Sequence, residues 1–213
     1  MKNLKLRQIE VDIPESWNEI SLNQFIEYMK WTIKRPETFE SELDSLIFNM
    51  KLISIFSFTK LDEDYLNEID LKDLKLLVDE LNKFVLSPPN FDRKDYFVYR
   101  DVLYTFIDPN NMSVGEYISY RQLAESKKEG LDVLPELLAI ICRPAEKVFN
   151  EELKKDDYKI KKFNADEIKD RAELFRKAPA FEVVAAADFF FGGSQKQIKN
   201  SKGSVKKRNK KAV

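Results

Sequence analysis

Residues 20–28 read ISLNQFIEY, and residues 112–120 read MSVGEYISY. In both blocks a Ser is followed three residues later by Gln or Glu and then by apolar residues at helical spacing. This is a capping box: the Ser hydroxyl accepts a hydrogen bond from the N–H three residues on, and the Gln or Glu side chain accepts one from the N–H of the Ser. The pattern predicts helices that begin after Ser21 and Ser113. An internal duplication and a coincidence of common capping boxes both stay open as explanations of the likeness.

The segments around these two blocks predict further helices, because apolar residues recur every three or four positions between caps and prolines. The predicted helices run from Ser21 to before Pro36, from about Glu40 to Phe58, from Asp70 to Ser87, from Ser113 onward, over 133–142, from Asn164 onward and over 179–191, with a short helical turn near 62–67.

The run DYFVYRDVLYTFID, residues 95–108, is rich in aromatic and β-branched residues and predicts a β-hairpin with its turn near Arg100 and Asp101. Two other segments carry weaker extended patterns. Residues 5–13 predict a short strand or an extended arm, and the lysine-rich stretch 150–163 predicts a polar loop with a short extended piece.

The fold expected from these patterns is mainly α, with two helical lobes joined by a small β-hairpin and a disordered basic C-terminal tail. The boundaries are 1–89 for the N-terminal helical lobe, 90–111 for the hairpin connector, 112–194 for the C-terminal helical lobe and 195–213 for the tail. Five Gly and eight Pro among 213 residues argue against a turn-rich all-β protein.

The composition excludes several kinds of chemistry. The chain has no His and one Cys, so it lacks the commonest general base and the ligands of the usual zinc sites. No catalytic residue, metal or cofactor is expected.

Cys142 lies in the apolar run LLAIIC, which predicts that its thiol is buried and inert. No secretory signal or apolar run of membrane-spanning length is visible, which favours synthesis in a reducing cytoplasm and no membrane partner.

Two groups of aromatic residues are candidates for partner binding. Alternate members of the hairpin run would share one face of the strands and grip a partner peptide or stack on bases. Packing of that face onto the helices is the alternative. Three consecutive Phe residues near the end of the last predicted helix cannot all face one side, so one of them is a candidate for a partner contact. Packing of these residues in the core is the alternative. The candidates are Tyr96, Tyr99, Tyr104, Phe106, Phe189, Phe190 and Phe191.

The charge of the chain is segregated. Every acidic residue lies at or before Asp188, and the part up to Ser194 carries a formal charge of −9 while the remainder carries +8. An acidic body disfavours nucleic-acid binding across its surface, so such binding is expected only through the tail. Docking on an acidic protein and a merely solubilising role are the alternatives. The basic residues of the tail are Lys196, Lys199, Lys202, Lys206, Lys207, Arg208, Lys210 and Lys211.

The order of these elements, with the phrases PESWNEI (14–20) and ICRP (141–144) and the two Ser-led helices, resembles small morphogenesis proteins of tailed bacteriophages, especially of Bacteroidetes hosts. Some members are tail-assembly chaperones and others are virion-associated proteins. The likeness covers most of residues 12–191 and leaves out the tail.

The resemblance implies a non-enzymatic assembly protein that acts through protein–protein contacts, most like a tail-assembly chaperone. Its partners would be other phage structural proteins, with self-association open, and its place the host cytoplasm or the virion. The alternatives are a structural virion component, such as a neck or tail ring subunit, and a nucleic-acid-binding protein that uses the basic tail.

Overall fold

A computed structural model of the chain describes residues 1–6, 10–59, 61, 69–85, 96–107, 111–126, 130–151 and 154–184. The chain divides into two units. The first contains Met1–Asn90, Glu129–Asp132 and Arg176–Phe181, and the second contains Phe91–Lys128, Val133–Phe175 and Glu182–Val213. The helical turn expected near 62–67 lies outside the described residues.

The prediction of a mainly α protein with one small hairpin is wrong. Of the described residues, 56% are helical and 21% lie in strands, and the strands form two antiparallel sheets. The fold is therefore a mixture of helix and sheet. The predicted connector hairpin is not an isolated link, because it forms two strands of a four-stranded sheet.

The first unit begins with a two-stranded sheet and continues with three helices. Strands β1 (Lys2–Lys5) and β2 (Glu10–Ile13) pair antiparallel, where the sequence predicted a single strand or arm. The helices are α1 (Leu22–Ile33), α2 (Glu42–Phe56) and α3 (Leu71–Val85). All three were predicted: α1 and α3 from an apolar stripe at helical spacing, and α2 from a run that is apolar on several faces.

Trp17 lies at the centre of the first unit's core. Its indole N–H donates a hydrogen bond to the carbonyl oxygen of Phe84 at 3.2 Å. Its ring meets four others edge-on, with centroid distances of 5.1 to 6.3 Å. Such pairs contribute about 0.5–1.5 kcal/mol each beyond the area that they bury. The four rings are those of Phe25, Tyr28, Phe56 and Phe84.

The capping boxes at Ser21 and Ser113 are both confirmed. The Ser21 hydroxyl accepts from the backbone N–H of Gln24 at 3.2 Å, and the Gln24 side-chain oxygen accepts from the Ser21 N–H at 2.9 Å. The same two hydrogen bonds join Ser113 and Glu116 at 3.3 and 2.6 Å. Ser113 thereby begins α4 (Val114–Ala124) in the second unit.

Two more helices follow α4 in the chain: α5 (Leu134–Ile141) and α6 (Ile168–Arg176). Asn164 caps as predicted, although it does so for a 3-10 turn, Ala165–Glu167, that leads into α6. Residues 180–184 are helical, as predicted for the last helix, and its remainder lies outside the described residues.

The second unit contains the four-stranded sheet, in the order β3 (Tyr96–Tyr99), β4 (Val102–Phe106), β5 (Cys142–Asn150) and β6 (Lys155–Ile160). The hairpin of β3 and β4 was predicted. At its turn Arg100 and Asp101 have φ angles of 50° and 60°. Positive φ at both central residues is typical of the type I′ turn, whose twist matches that of the flanking strands.

Strand β5 was not predicted, and of β6 only a short extended piece within a polar loop was expected. Arg143 and Pro144 were expected to end a helix, and they do follow α5, but the chain continues from them as a nine-residue strand. The lysine-rich segment predicted as a loop contains β6. β4 pairs only with residues 142–144, so residues 145–150 and 155–160 pair with each other beyond it. We call this two-stranded extension the β-arm.

Arg143 provides a hydrogen-bond donor at a position of the sheet where Pro144 lacks a backbone N–H. The Lys161 N–H donates to the Pro144 carbonyl at 2.9 Å, but proline has no N–H to return the second hydrogen bond of an antiparallel pair. The Lys161 carbonyl instead accepts from Arg143 Nη1 at 2.8 Å.

The other end of the same guanidinium contacts α4. Arg143 Nη2 lies 2.9 Å from Glu116 Oε1, as an ion pair rather than an aligned hydrogen bond. The Glu116 side chain is 1% exposed and that of Arg143 is 12% exposed. Burial lowers the pKa of Arg143, and the Glu116 carboxylate opposes this effect. Arg143 therefore connects β5, the segment after β6 and the start of α4.

Arg171 on α6 makes a similar connection to the end of α5. Its Nη1 donates to the Ala139 carbonyl at 2.9 Å, and its Nη2 donates to Glu167 at 2.8 Å. The last carbonyls of a helix have no partner within the helix and carry a partial negative charge, which a buried cation satisfies. Cys142 is buried beside this contact as a free thiol, as predicted, and burial raises its pKa.

We expect Arg143→Met to destabilise the protein by about 3 kcal/mol, because it leaves Glu116 buried without its counter-charge. The measurement is urea unfolding followed by circular dichroism. Arg121→Met is the matched control, since Arg121 and Glu125 form an exposed pair whose loss costs about 0.5 kcal/mol or less. Equal losses in the two variants would contradict the role given to Arg143.

Candidate docking surfaces

Tyr104, one of the predicted partner-binding residues, lies in the core of the second unit. Its ring is 4% exposed and stacks on Phe97 with centroids 5.2 Å apart. The Phe175 ring of α6 meets it edge-on at 5.1 Å. Phe97 and Tyr104 therefore pack one face of the hairpin onto a helix, which was the alternative to partner binding.

The other predicted hairpin residues lie in different surroundings. Tyr96 is partly exposed, and its ring lies 5.9 Å from that of Tyr158 on β6. Tyr99 is half-buried under the Arg100 guanidinium, 5.5 Å from the ring centroid. Phe106 packs against the buried cluster of Ile107, Ile140 and Ile141. The structure does not bring the four predicted residues together as one surface.

The remaining predicted site residues lie outside the described part of the chain. These are the three aromatic residues Phe189, Phe190 and Phe191 and the basic tail residues Lys196, Lys199, Lys202, Lys206, Lys207, Arg208, Lys210 and Lys211.

The exposed surface of α4 carries a row of apolar and tyrosine side chains that sequence reasoning did not single out. Val114 is 76% exposed, Tyr117 55%, Ile118 49% and Tyr120 42%. We call these four residues the α4 stripe. Their spacing of three and four residues is the pattern that normally packs a helix onto a core. Contiguous apolar surface of this kind is typical of protein interaction sites.

The corresponding residues of α1 show the contrast. Leu22 and Ile26 occupy the positions of Val114 and Ile118 in the two similar blocks, and both are 1% exposed or less. The capping boxes are the same, so the local sequence does not explain the difference. The difference lies in the surroundings of the two helices, which residues distant in the chain provide.

α4 turns Glu116, Ser119 and Leu123 inward: Glu116 is buried, Ser119 and Leu123 are half-buried, and Leu123 packs against the cluster of Ile107, Ile140 and Ile141. At about 100° per residue, Val114 and Ile118 lie about 160° around the helix from Glu116. Because the Arg143 ion pair holds Glu116 in the interior, these two residues must face outward. Gly115 reinforces this orientation: a Cβ at that position would lie 3.1 Å from the Phe163 ring. The sequence clues to this orientation are Gly115 within the helix and Arg121 at the position of the apolar Met29.

The described helices include none that is long and apolar enough to cross a bilayer. The described side chains also contain no group of three or more His, Cys, Asp or Glu residues placed to hold a metal ion.

The second unit thus consists of a four-stranded antiparallel sheet and helices, which Arg143 and Arg171 connect. Its most exposed apolar side chains lie on α4 and on the β-arm.

Comparison of the chain with protein-family models, curated proteins and solved structures finds no match.

Tyr104 and Tyr96 should respond differently to truncation. Tyr104→Ala removes a buried ring and is expected to destabilise the protein by about 3–5 kcal/mol. Tyr96→Ala removes a partly exposed ring, and a loss below about 1 kcal/mol is expected. Thermal and urea unfolding of the two variants checks this. A stable Tyr104→Ala protein would show that this ring is not part of the core.

Proposed function

We propose that this protein is a non-enzymatic phage assembly protein that acts through protein–protein contacts, most like a tail-assembly chaperone. The resemblance of its sequence to phage morphogenesis proteins supports the proposal. The α4 stripe is the single structural observation that carries it, because a chaperone needs an accessible apolar surface on which to hold an unassembled partner.

The composition of the α4 stripe is typical of a protein-binding surface. Two of its four residues are tyrosines, which are enriched in protein interfaces because each ring provides a large contact area and a hydroxyl that stays hydrated at the rim. Val114 and Ile118 provide an aliphatic centre between turns of the helix. The surface combines apolar contact area with polar edges.

The partner that we propose for the α4 stripe is an amphipathic helix of a tail protein. The first unit supports this choice, because α1 is a helix of the same plan and packs against another helix, α2. In that pair Tyr28 of α1 contacts Phe56 of α2, with ring centroids 5.5 Å apart. Tyr28 corresponds to Tyr120 in the α4 stripe. A partner helix with an apolar face like that of α2 would fit α4 in the same way.

A structural virion component is the second candidate, and the β-arm favours it. A two-stranded ribbon is marginally stable alone in water, and extended ribbons of this kind suit lasting contacts between neighbouring subunits. The two candidates differ in whether the mature particle contains the protein: a chaperone leaves before the particle is complete, and a structural component stays.

Mass spectrometry of purified particles and of infected-cell extract distinguishes the two candidates. The chaperone proposal predicts abundant protein in the extract and none at stoichiometric level in the particle. Stoichiometric presence in the particle would contradict it and support the structural component. Absence of any effect of gene deletion on tail formation would contradict both.

The double substitution Tyr117→Asp with Ile118→Asp tests the α4 stripe. Charges in the centre of an apolar contact are expected to weaken partner binding more than tenfold, so the yield of infectious particles should fall by at least about tenfold. Plaque titre and electron microscopy of tails measure this. Ile33→Asp is the control, since Ile33 is an apolar residue at the end of α1 that is more exposed than either substituted residue. Equal titres for the two variants would contradict the proposal.

A further inference from the structure

The β-arm carries an exposed aromatic side chain on the described part of its tip. Phe149 is 64% exposed, although it lies in a regular strand that pairs with β6 through Asp156. Two residues further along, Glu151 is exposed and forms no ion pair with any residue that the structure describes. The tip therefore presents an apolar ring followed by a carboxylate.

A groove lies at the base of the same arm, where β4 and β5 separate. Their pairing ends at Tyr104 and Pro144. One step further, the register would place Leu103 opposite Ala145, yet these strands no longer pair there. The opening has a volume of about 520 Å³. Its apolar lining is formed by Val102, Leu103, Pro144, Ala145 and Ile160.

The charged residues of the groove are unevenly placed. Lys159 of β6 and Lys161 and Lys162 just after it line one side, and the carboxylates of Asp101 and Glu146 also line the opening. Lys161 forms an ion pair with Glu167 at 3.0 Å. Among the described residues, Lys159 and Lys162 have no ion-pair partner within reach.

The tip and the groove are complementary in shape, charge and spacing. The groove is large enough for a phenyl ring, and the apolar part of its lining is aliphatic. Glu151 lies two residues beyond Phe149, and Lys162 lies two residues beyond Ile160. Glu151 belongs to the turn that follows β5, and two residues of fully extended chain span about 6.6 Å, so both separations are at most of this size. A ring placed over Ile160 would therefore bring the Glu151 carboxylate near the Lys162 ammonium group.

We propose that copies of this chain associate head to tail, with Phe149 of one copy in the groove between β4 and β5 of the next and Glu151 paired with Lys162. The occupant of the groove is a second copy of this chain. The two contacting surfaces differ, so the interface is heterologous, and each copy keeps one free tip and one free groove. Repetition of the contact forms a ring or a filament.

The inference goes beyond the proposed function and does not rest on the α4 stripe. Analytical ultracentrifugation of the full chain over about 5–500 µM tests it, since a contact of one ring and one ion pair is at the weak end of interfaces and a dissociation constant of about 10–100 µM is expected. Phe149→Asp should raise that constant at least tenfold. Leu43→Asp is the control, because Leu43 is an apolar residue of equal exposure in the first unit, and it should leave association unchanged.

A mixing experiment tests the head-to-tail geometry. Phe149→Asp removes the apolar tip and keeps the groove, while Val102→Glu introduces a charge into the groove and keeps the tip. Each variant alone should be monomeric, and their mixture should form a one-to-one dimer that grows no further. Circular dichroism and melting temperature confirm that both variants fold. Failure of the folded variants to form the mixed dimer would overturn the proposal.

Charge exchange tests the ion pair. Glu151→Lys should weaken association, and adding Lys162→Glu to the same chain should restore it, because every tip then meets a groove of opposite charge. A wild-type protein that stays monomeric at all concentrations, or one that associates equally well without Phe149, overturns the inference. Neither result bears on the α4 variants, so failure of this proposal is distinguishable from failure of the proposed function.

Discussion

The second unit depends on one guanidinium group, that of Arg143. Pro144 cannot donate a backbone hydrogen bond, and Arg143 provides the missing donor to the Lys161 carbonyl. The same side chain neutralises the buried Glu116 at the beginning of α4. A buried ion pair of this kind contributes little net stability compared with an apolar packing of the same shape. Its consequence here is geometric, because it determines which side of α4 faces the sheet.

The two similar blocks show how far a local pattern determines structure. Both capping boxes form, since a capping box needs only residues within one helical turn. Burial of the apolar residues that follow does not repeat, because it depends on neighbours far away in the chain. In the first unit Trp17 packs against Phe25 and Tyr28 of α1, and Leu22 and Ile26 of the same helix are buried as well. In the second unit the interior position is taken by Glu116.

The elements that sequence reasoning predicted correctly are those whose pattern is local and has one buried face. The helices α1, α2 and α3 and the hairpin of β3 and β4 belong to this class. Strand β5 does not, because its residues 146–149 are all exposed and show no alternation of apolar and polar residues. In β6 only residues 157–160 alternate, which is too short a run to predict a six-residue strand. β5 and β6 pair with each other, and β5 also pairs with β4. The composition of these segments does not reveal which strands will pair. The groove likewise depends on where β4 and β5 separate, and no local pattern marks that point.

The same reasoning explains why the α4 stripe was not found among the predicted site residues. Its residues look like the buried face of an ordinary amphipathic helix. They are exposed because the opposite face is turned inward, with Glu116 paired to Arg143 and Leu123 packed on the buried isoleucine cluster. The ion pair that joins α4 to the sheet is therefore also the device that turns Val114 and Ile118 toward solvent. A helix released from Glu116 would gain by rotating its apolar side inward, since burial of one aliphatic side chain contributes about 1.5–3 kcal/mol. The polar contact thus keeps an apolar surface available, and this connects the packing of the second unit directly with the binding role proposed for it.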